Sequence, residues 1–156
     1  MNIKILLYII LFTFSFSQVR MSYELDGAFE NNSSDGAFLL GYDHMMFKQK
    51  NVNSGIGVEF SVTESPENMR FNSLYSIVNY NVEKTWNLYS KLGLSYCEDN
   101  TGVLSKNTGL FLGVGVNYYF KEKFHIELGY HSSYIDGYEH SRFVYSLIRH
   151  FEFDND

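Results

Sequence analysis

Two residues with hydrolytic potential, His131 and Ser133, stand near the end of one alternating segment of the chain. A histidine can act as general base for a serine nucleophile when a carboxylate orients its imidazole ring. The nearest acids are Asp136 and Glu139, which we expect in the loop that follows. The residue types therefore permit a serine hydrolase as one alternative function.

A second group, His125, Glu127 and His131, could be read as metal ligands. In an extended strand these residues share one face, but they spread over about 20 Å at ~3.3 Å per residue. One zinc ion cannot reach all three, because its bonds to nitrogen and oxygen are about 2 Å long. We therefore predict a polar network here, with no metal and no cofactor. The single cysteine, Cys97, excludes a disulfide framework.

The elements that position these residues are eight segments in which apolar and polar residues alternate, as in half-buried strands. Their predicted ranges are 19–29, 37–47, 55–63, 72–82, 87–97, 109–120, 124–135 and 142–153. The sixth is the clearest, with alternate residues Leu110, Leu112, Val114, Val116, Tyr118 and Phe120 on one face. The fold class predicted is all-β: an eight-stranded antiparallel up-and-down barrel.

Three positions depart from strict alternation. Leu39 and Met45 fall on the polar face of the second segment. Arg149 falls on the apolar face of the last segment, so either a bulge shifts the register there or Arg149 lies at a membrane interface.

The composition of the two faces favours a membrane barrel over a soluble one. The polar face carries charges within strands, together with glycines that suit a crowded interior. The apolar face is rich in Tyr and Phe toward the strand ends, as aromatic girdles require. The glycines and end aromatics are Gly57, Gly93, Gly113, Gly115, Gly129, Tyr96, Tyr118, Phe120, Phe124, Tyr130, Phe151 and Phe153. The open alternative is a secreted soluble barrel that binds an apolar ligand.

The inward charges should pair with one another, because an unpaired buried charge is costly. We predict that the cations Lys91 and Arg142 pair with Glu59, Glu127 or Asp43, so that the lumen is plugged and not an open pore. The full predicted interior network is Glu24, Asp43, Glu59, Lys91, His125, Glu127, His131 and Arg142.

The connections between segments alternate in charge. Segments 48–54, 83–87 and 121–123 are short and basic, whereas 30–36, 64–71, 97–108 and 136–141 are longer on average and acidic. Short periplasmic turns and longer external loops are typical of outer-membrane barrels.

The chain begins with a segment typical of a secretory signal peptide. Lys4 precedes the apolar stretch Ile5–Phe14, and Ser15-Phe16-Ser17 supplies small residues before a predicted cut after Ser17. The domains are therefore residues 1–17 as signal peptide and 18–156 as barrel. Across 156 residues, 12 Lys+Arg and 18 Asp+Glu give a net charge of −6, which argues against a nucleic-acid partner.

The stretch Leu88–Phe120, with LYSKLGLSY and GLFLGVGVNYYF, followed by Lys121-Glu122-Lys123 and FHIELGY, resembles the small OmpA/OmpX-like outer-membrane β-barrels of Gram-negative-type bacteria. The resemblance implies an outer-membrane location and a structural, envelope or surface-interaction role without catalysis. It implies contact with outer-membrane lipid and lipopolysaccharide, and we expect a monomer. The last segment, FVYSLIRHFEF, resembles the strand offered to the barrel-assembly machinery, although Asp154-Asn155-Asp156 follow it.

Some eight-stranded barrels of this kind are lipid A deacylases, and their His-x-Ser-Asn motif resembles the chain at His131 and Ser133. Tyr134 stands where Asn is expected. The alternation also turns His131 inward, away from a membrane substrate. The hydrolase is therefore the alternative and the non-enzymatic barrel is the main prediction.

Overall fold

A computed structural model describes residues 16–26, 36–64, 69–100, 102 and 104–152. These residues form eight strands: β1 Phe16–Asp26, β2 Gly36–Lys48, β3 Val52–Ser61, β4 Met69–Asn81, β5 Trp86–Asp99, β6 Thr108–Lys121, β7 Phe124–Ile135 and β8 Tyr138–Glu152. Each strand pairs antiparallel with the next, and β1 pairs with β8 to close the barrel. The predicted fold class is confirmed. The described part of the chain holds no helix long and apolar enough to cross a membrane.

The barrel has an inside-out arrangement of side chains: its polar side chains mostly point into the lumen and its apolar side chains mostly point outward. Leu92, Val114 and Leu128 are exposed on the outer wall, and Arg20, Glu59 and Glu127 are buried inside. Period-two alternation fixes this separation, because neighbouring side chains of a strand point to opposite faces of the sheet. The wall thus presents an apolar band to its surroundings.

The connections define two ends of the barrel. The short-turn end holds residues 49–51, 82–85 and 122–123, and the opposite end, here called the long-loop end, holds the described residues 62–64, 100, 102, 104–107 and 136–137. The connection before β8 is shorter than predicted, because Asp136 and Gly137 alone make the turn. Both have positive φ, 53° and 81°, as a two-residue type I′ hairpin turn requires. The prediction of a loop over 136–141 was therefore wrong.

Other strand boundaries also differ from prediction. Strand β1 begins at Phe16, so Ser17 pairs with His44 ahead of the predicted cleavage point. Residues 1–15, which hold most of the predicted signal peptide, lie outside the described residues. Strand β5 runs on to Asp99, two residues beyond its predicted end at Cys97.

The exceptions to alternation now have a structural explanation. Leu39 and Met45 do face inward, and a register shift follows Met45 in the pairing of β2 with β3. By contrast, β8 keeps an unbroken register with β7 and β1 through Arg149. Of the two explanations for Arg149, the bulge is wrong, and the residue lies on the outer wall.

Candidate functional site

The centre of the barrel is organised around Arg20 of β1, which is completely buried. Its Nη1 donates to Asp43 Oδ2 at 2.9 Å, and its Nη2 donates to Glu59 Oε2 at 3.1 Å. The Tyr75 hydroxyl accepts from Arg20 and donates to Asp43 Oδ1 at 2.8 Å. One guanidinium therefore joins side chains of four consecutive strands.

Arg20 is the functional residue that the sequence prediction missed. The alternation of β1 places it on the same face as Glu24, but the prediction named only Lys91 and Arg142 as inward cations. The signal that identifies it is parity alone. Space for its side chain comes from Gly41 on β2, where an added β-carbon would overlap the guanidinium.

A second ion pair lies beside the first. Lys91 Nζ of β5 donates to both carboxylate oxygens of Glu127 on β7, at 3.0 and 3.1 Å. Ser146 Oγ donates to the same carboxylate at 3.2 Å. Arg20 Nη1 is 3.8 Å from Glu127 Oε2, so the two ion pairs form one continuous cluster.

The third cation, Arg142 of β8, extends the cluster toward the long-loop end. Its Nε is 2.7 Å from Glu24 Oε2, and its Nη2 donates to Glu59 Oε1 at 3.2 Å. Glu59 therefore lies between Arg20 and Arg142, and accepts from both. His140 Nε2 is 3.9 Å from the other oxygen of Glu24.

The structure thus brings together seven of the eight predicted network residues, and adds Arg20 to them: Glu24, Asp43, Glu59, Lys91, Glu127, His131 and Arg142. Three cations face four carboxylates, all nearly or fully buried: Arg20, Lys91, Arg142, Glu24, Asp43, Glu59 and Glu127. Mutual pairing offsets the cost of removing these charges from water. Their side chains meet across the middle of the barrel lumen.

His125 is the predicted residue that lies apart from this cluster. Its Nδ1 is 2.7 Å from His150 Nε2, and His150 Nδ1 is 3.1 Å from Gln18 Nε2. Next to the His125–His150 pair lies a cavity of about 610 Å³ at the short-turn end, which we call the vestibule. Its lining is mixed: the apolar and aromatic residues are Met45, Met46, Val82, Tyr119 and Phe151, and the polar residues are Ser17, Gln18, Lys48, Lys50, Asn51, Asn53, Asn79, Asn81, Glu83, Lys84, Glu122 and His150.

The two residues of the hydrolase alternative are fully buried inside the barrel. His131 Nε2 is 3.1 Å from the Tyr89 hydroxyl, and its Nδ1 is 3.7 Å from Glu59 Oε1. Ser133 Oγ donates instead to Ser95 Oγ at 3.1 Å. Neither side chain faces the outer wall, where a lipid substrate would lie.

The acids proposed for that hydrolase are equally misplaced. Glu139 lies on β8 and not in a loop, and it is exposed. Its carboxylate accepts from the hydroxyls of Tyr134 and Ser141. Asp136 is exposed in the adjoining turn. The orienting carboxylate of a triad must contact the histidine. Here the carboxylate nearest to the His131 Nδ1 is that of Glu59.

An apolar cap covers the cluster at the long-loop end. It consists of the buried side chains of Met69, Phe71, Cys97 and Ile135, with Leu104 and Tyr138 packed against them. Phe71 also stacks on His140, with ring centroids 4.2 Å apart. The interior therefore contains apolar clusters beside its ion pairs, and the cap is the one at the long-loop end.

Hydrogen bonds hold the loop that supplies Leu104. The Asp99 carboxylate accepts from the backbone N–H of Gly102 and of Leu104, at 3.1 and 2.8 Å. Asp136 accepts from the hydroxyl and the backbone N–H of Ser105, at 2.5 and 2.8 Å. These bonds favour the ionised carboxylate and lower the pKa of Asp136.

Comparison with known proteins places the fold among transmembrane barrels. No family model and no curated protein matches the chain. The outer-membrane protein Ail of Yersinia pestis, in a phospholipid nanodisc, matches with a TM-score of 0.61 and 13% identity, over 88% of this chain and 99% of that one.

Two further structures agree with this result. The N-terminal β-barrel domain of Pseudomonas aeruginosa OprF matches with a TM-score of 0.60 and 15% identity, over 88% of this chain and 98% of that one. A de novo designed transmembrane β-barrel matches at 0.59 and 13%, over 86% and 94%. The chain thus has the fold of the eight-stranded outer-membrane β-barrels, as the resemblance to OmpA/OmpX-like proteins implied.

Proposed function

We propose that this protein is an integral outer-membrane barrel with a structural or surface-interaction role, and that it is neither an enzyme nor an open pore. The observation that carries the proposal is the inside-out arrangement of side chains. Leu92 and Leu94 are 58% and 63% exposed, whereas Arg20 and Glu59 are 0% exposed. In water this arrangement would leave a continuous apolar band unburied, but in lipid it is the stable one.

The alternative of a soluble barrel with an apolar ligand is less well supported. Such a barrel needs an empty apolar interior, and the interior here is occupied by ion pairs. The strands, of 10 to 15 residues, are also long enough to cross a bilayer at a tilt.

Two features support a closed lumen. The ion-paired cluster fills the middle, and the apolar cap covers the long-loop end. An eight-stranded barrel leaves an interior just wide enough for side chains. Solute transport would require both features to move.

The long-loop end is the surface available for interaction outside the cell in this proposal. Its described residues include five acids and two bases: Glu64, Glu98, Asp99, Asp136, Glu139, Arg70 and Lys106. Ail has been solved with the heparin analogue sucrose octasulfate. An acidic end does not suit a polysulfated partner, so we propose contact with basic groups or with lipopolysaccharide through divalent cations.

Export and assembly complete the proposal. Residues 1–17 would direct export, and the aromatic strand β8 would be the segment read by the barrel-assembly machinery. Each of these rests on sequence pattern, and the protein is proposed to act as a monomer.

Fractionation tests the location. We expect the protein in the outer-membrane fraction, soluble only with detergent, and we expect its migration in detergent gels to change on boiling. Extraction of folded protein into detergent-free buffer would contradict the proposal. Step conductance in planar bilayers, at a level comparable with a reconstituted general porin, would contradict the closed lumen.

A further inference from the structure

A patch of three cations lies on the outer wall at the short-turn end. Arg149 projects outward from β8 beside Phe124, its partner on β7. Its guanidinium carbon is 5.8 Å from the centre of the Phe124 ring and 4.9 Å from that of Phe151. The two rings hold the cation against the wall, where the next outward residue, Leu147, is apolar and exposed.

Arg149 has five N–H donors, and among the described residues none of them has a hydrogen-bond or ion-pair partner. The lysines of the adjoining turn, Lys121 and Lys123, are exposed and likewise have no partner in that part of the chain. Lys121 pairs in register with Phe124, and the carbonyl of Lys123 accepts from the His150 N–H at 2.9 Å. The carboxylate between the two lysines, Glu122, belongs to a residue that lines the vestibule.

The position of this patch determines which anionic group can pair with its cations. Outward of the short turns lies water, and along the wall lies hydrocarbon. The boundary between them holds the phosphate groups of phospholipids, whose oxygens accept bidentate hydrogen bonds from guanidinium. The short connections and their flanking residues carry five lysines and two glutamates, so the surrounding charge also favours an anion.

We propose that Lys121, Lys123 and Arg149, with the rings of Phe124 and Phe151, form a binding site for the phosphate of an anionic phospholipid in the leaflet on the short-turn side. This inference rests on the proposed membrane location and names a lipid class for it. Arg149 supplies the directional contact, the lysines supply charge, and the rings exclude water from the guanidinium.

The fluorescence of a single tryptophan placed next to the patch reports which lipids lie beside it. Trp86 is the only tryptophan in the chain. A Trp86→Phe/Leu147→Trp variant moves the fluorophore two residues from Arg149, on the same face. The protein is folded into phosphatidylcholine vesicles that contain a minority of dibrominated lipid, either phosphatidylglycerol or phosphatidylcholine, and quenching is compared.

We expect dibrominated phosphatidylglycerol to quench several-fold more than its mole fraction predicts, and dibrominated phosphatidylcholine to show no enrichment. Arg149→Gln should reduce the enrichment about fivefold, the factor that corresponds to one basic residue at a membrane surface. Arg149→Lys should restore part of it. The matched control, Lys50→Gln/Lys84→Gln, removes two charges from the same end, distant from the patch, and should change it little.

Equal quenching by the two lipids in the parent protein would overturn the proposal, and so would an equal loss in the lysine control. Heat-modifiable migration of each variant shows separately whether it is a folded membrane barrel. A variant that folds but shows no lipid preference refutes the lipid site alone. A parent that never enters the vesicles refutes the proposed function instead.

Discussion

Replacement of Arg20 by methionine tests whether the interior cluster stabilises the barrel. Methionine has a similar length and no charge, so the variant removes the cation while still filling space. The carboxylates that Arg20 contacts then have different fates. Glu59 keeps its ion pair with Arg142 at 3.2 Å. Asp43 keeps the hydroxyl of Tyr75 at 2.8 Å but no cation among the described residues.

The structure sets the expected size of this effect. Removal of one partner from a buried ion pair costs about 3–5 kcal/mol, because the other charge stays buried and uncompensated. Arg20 and Asp43 are 0% and 1% exposed, so solvent gives little relief. We expect Arg20→Met to lower the free energy of unfolding by about 4 kcal/mol. Adding Asp43→Asn removes the stranded charge and should recover part of this loss.

Urea unfolding in phospholipid vesicles, followed by Trp86 fluorescence, measures the difference. Arg70→Met is the matched control, because Arg70 is 42% exposed and lies 3.4 Å from Glu64. An exposed pair of this kind contributes at most about 1 kcal/mol. If Arg20→Met costs no more than Arg70→Met, the interior ion pairs do not stabilise the fold and the reasoning is refuted.

Three further substitutions test other parts of the structure. Gly57→Ala places a β-carbon against the Asp43 carboxylate and the Tyr75 ring, and this overpacking should cost about 1–3 kcal/mol in the same urea assay. Leu92→Arg puts a charge on the lipid-facing wall, which should cost about 2–4 kcal/mol if the site is near the bilayer centre. Asp136→Asn weakens the bonds from Ser105, so protease should cut residues 100–107 faster at neutral pH. Because the pKa of Asp136 is lowered in the fold, its stabilising effect is present above its ordinary pKa and is lost as pH falls through the lowered value. The variant and the parent should therefore be cut alike at strongly acidic pH.

Each of these has a control of the same kind. Ser76→Ala, on the outer wall, should leave stability nearly unchanged, and Leu92→Met should be tolerated. Glu122→Gln removes an exposed acid at the opposite end and should not alter cleavage of the long loop. A protease difference for Asp136→Asn that persists at strongly acidic pH would show that its charge is not responsible.

Strand number could be predicted from this sequence because period-two alternation marks each segment and separates its two faces. The charges and glycines on one face then assigned that face to the interior. In β7, for example, parity together with the composition of the two faces assigned Glu127 and His131 inward and Leu128 outward, and the structure has them so. The Asp136-Gly137 turn was also readable, since an Asp-Gly pair between strands favours a type I′ hairpin. The charge-based grouping of residues 136–141 obscured that signal.

The pairing inside the lumen could not be predicted in the same way. Glu59 and Arg142 are not on neighbouring strands, so no ladder register relates them. Their contact depends on the shear and curvature of the closed barrel, which alternation does not specify. The apolar cap was missed for a similar reason, because Met69 and Ile135 meet only where several strands converge at one end.

The reach of Arg20 across the lumen has a consequence for how the chain becomes a barrel. Its guanidinium binds partners from β2 and β3 and approaches Glu127 from β7, so its ligands come from both the first and the second half of the polypeptide. If only some of the hairpins were inserted, Arg20 or its carboxylate partners would enter the hydrocarbon of the membrane without their counter-charges. We therefore expect the barrel to close in one cooperative step, in which the N-terminal strands stay hydrated until the C-terminal strands pair with them.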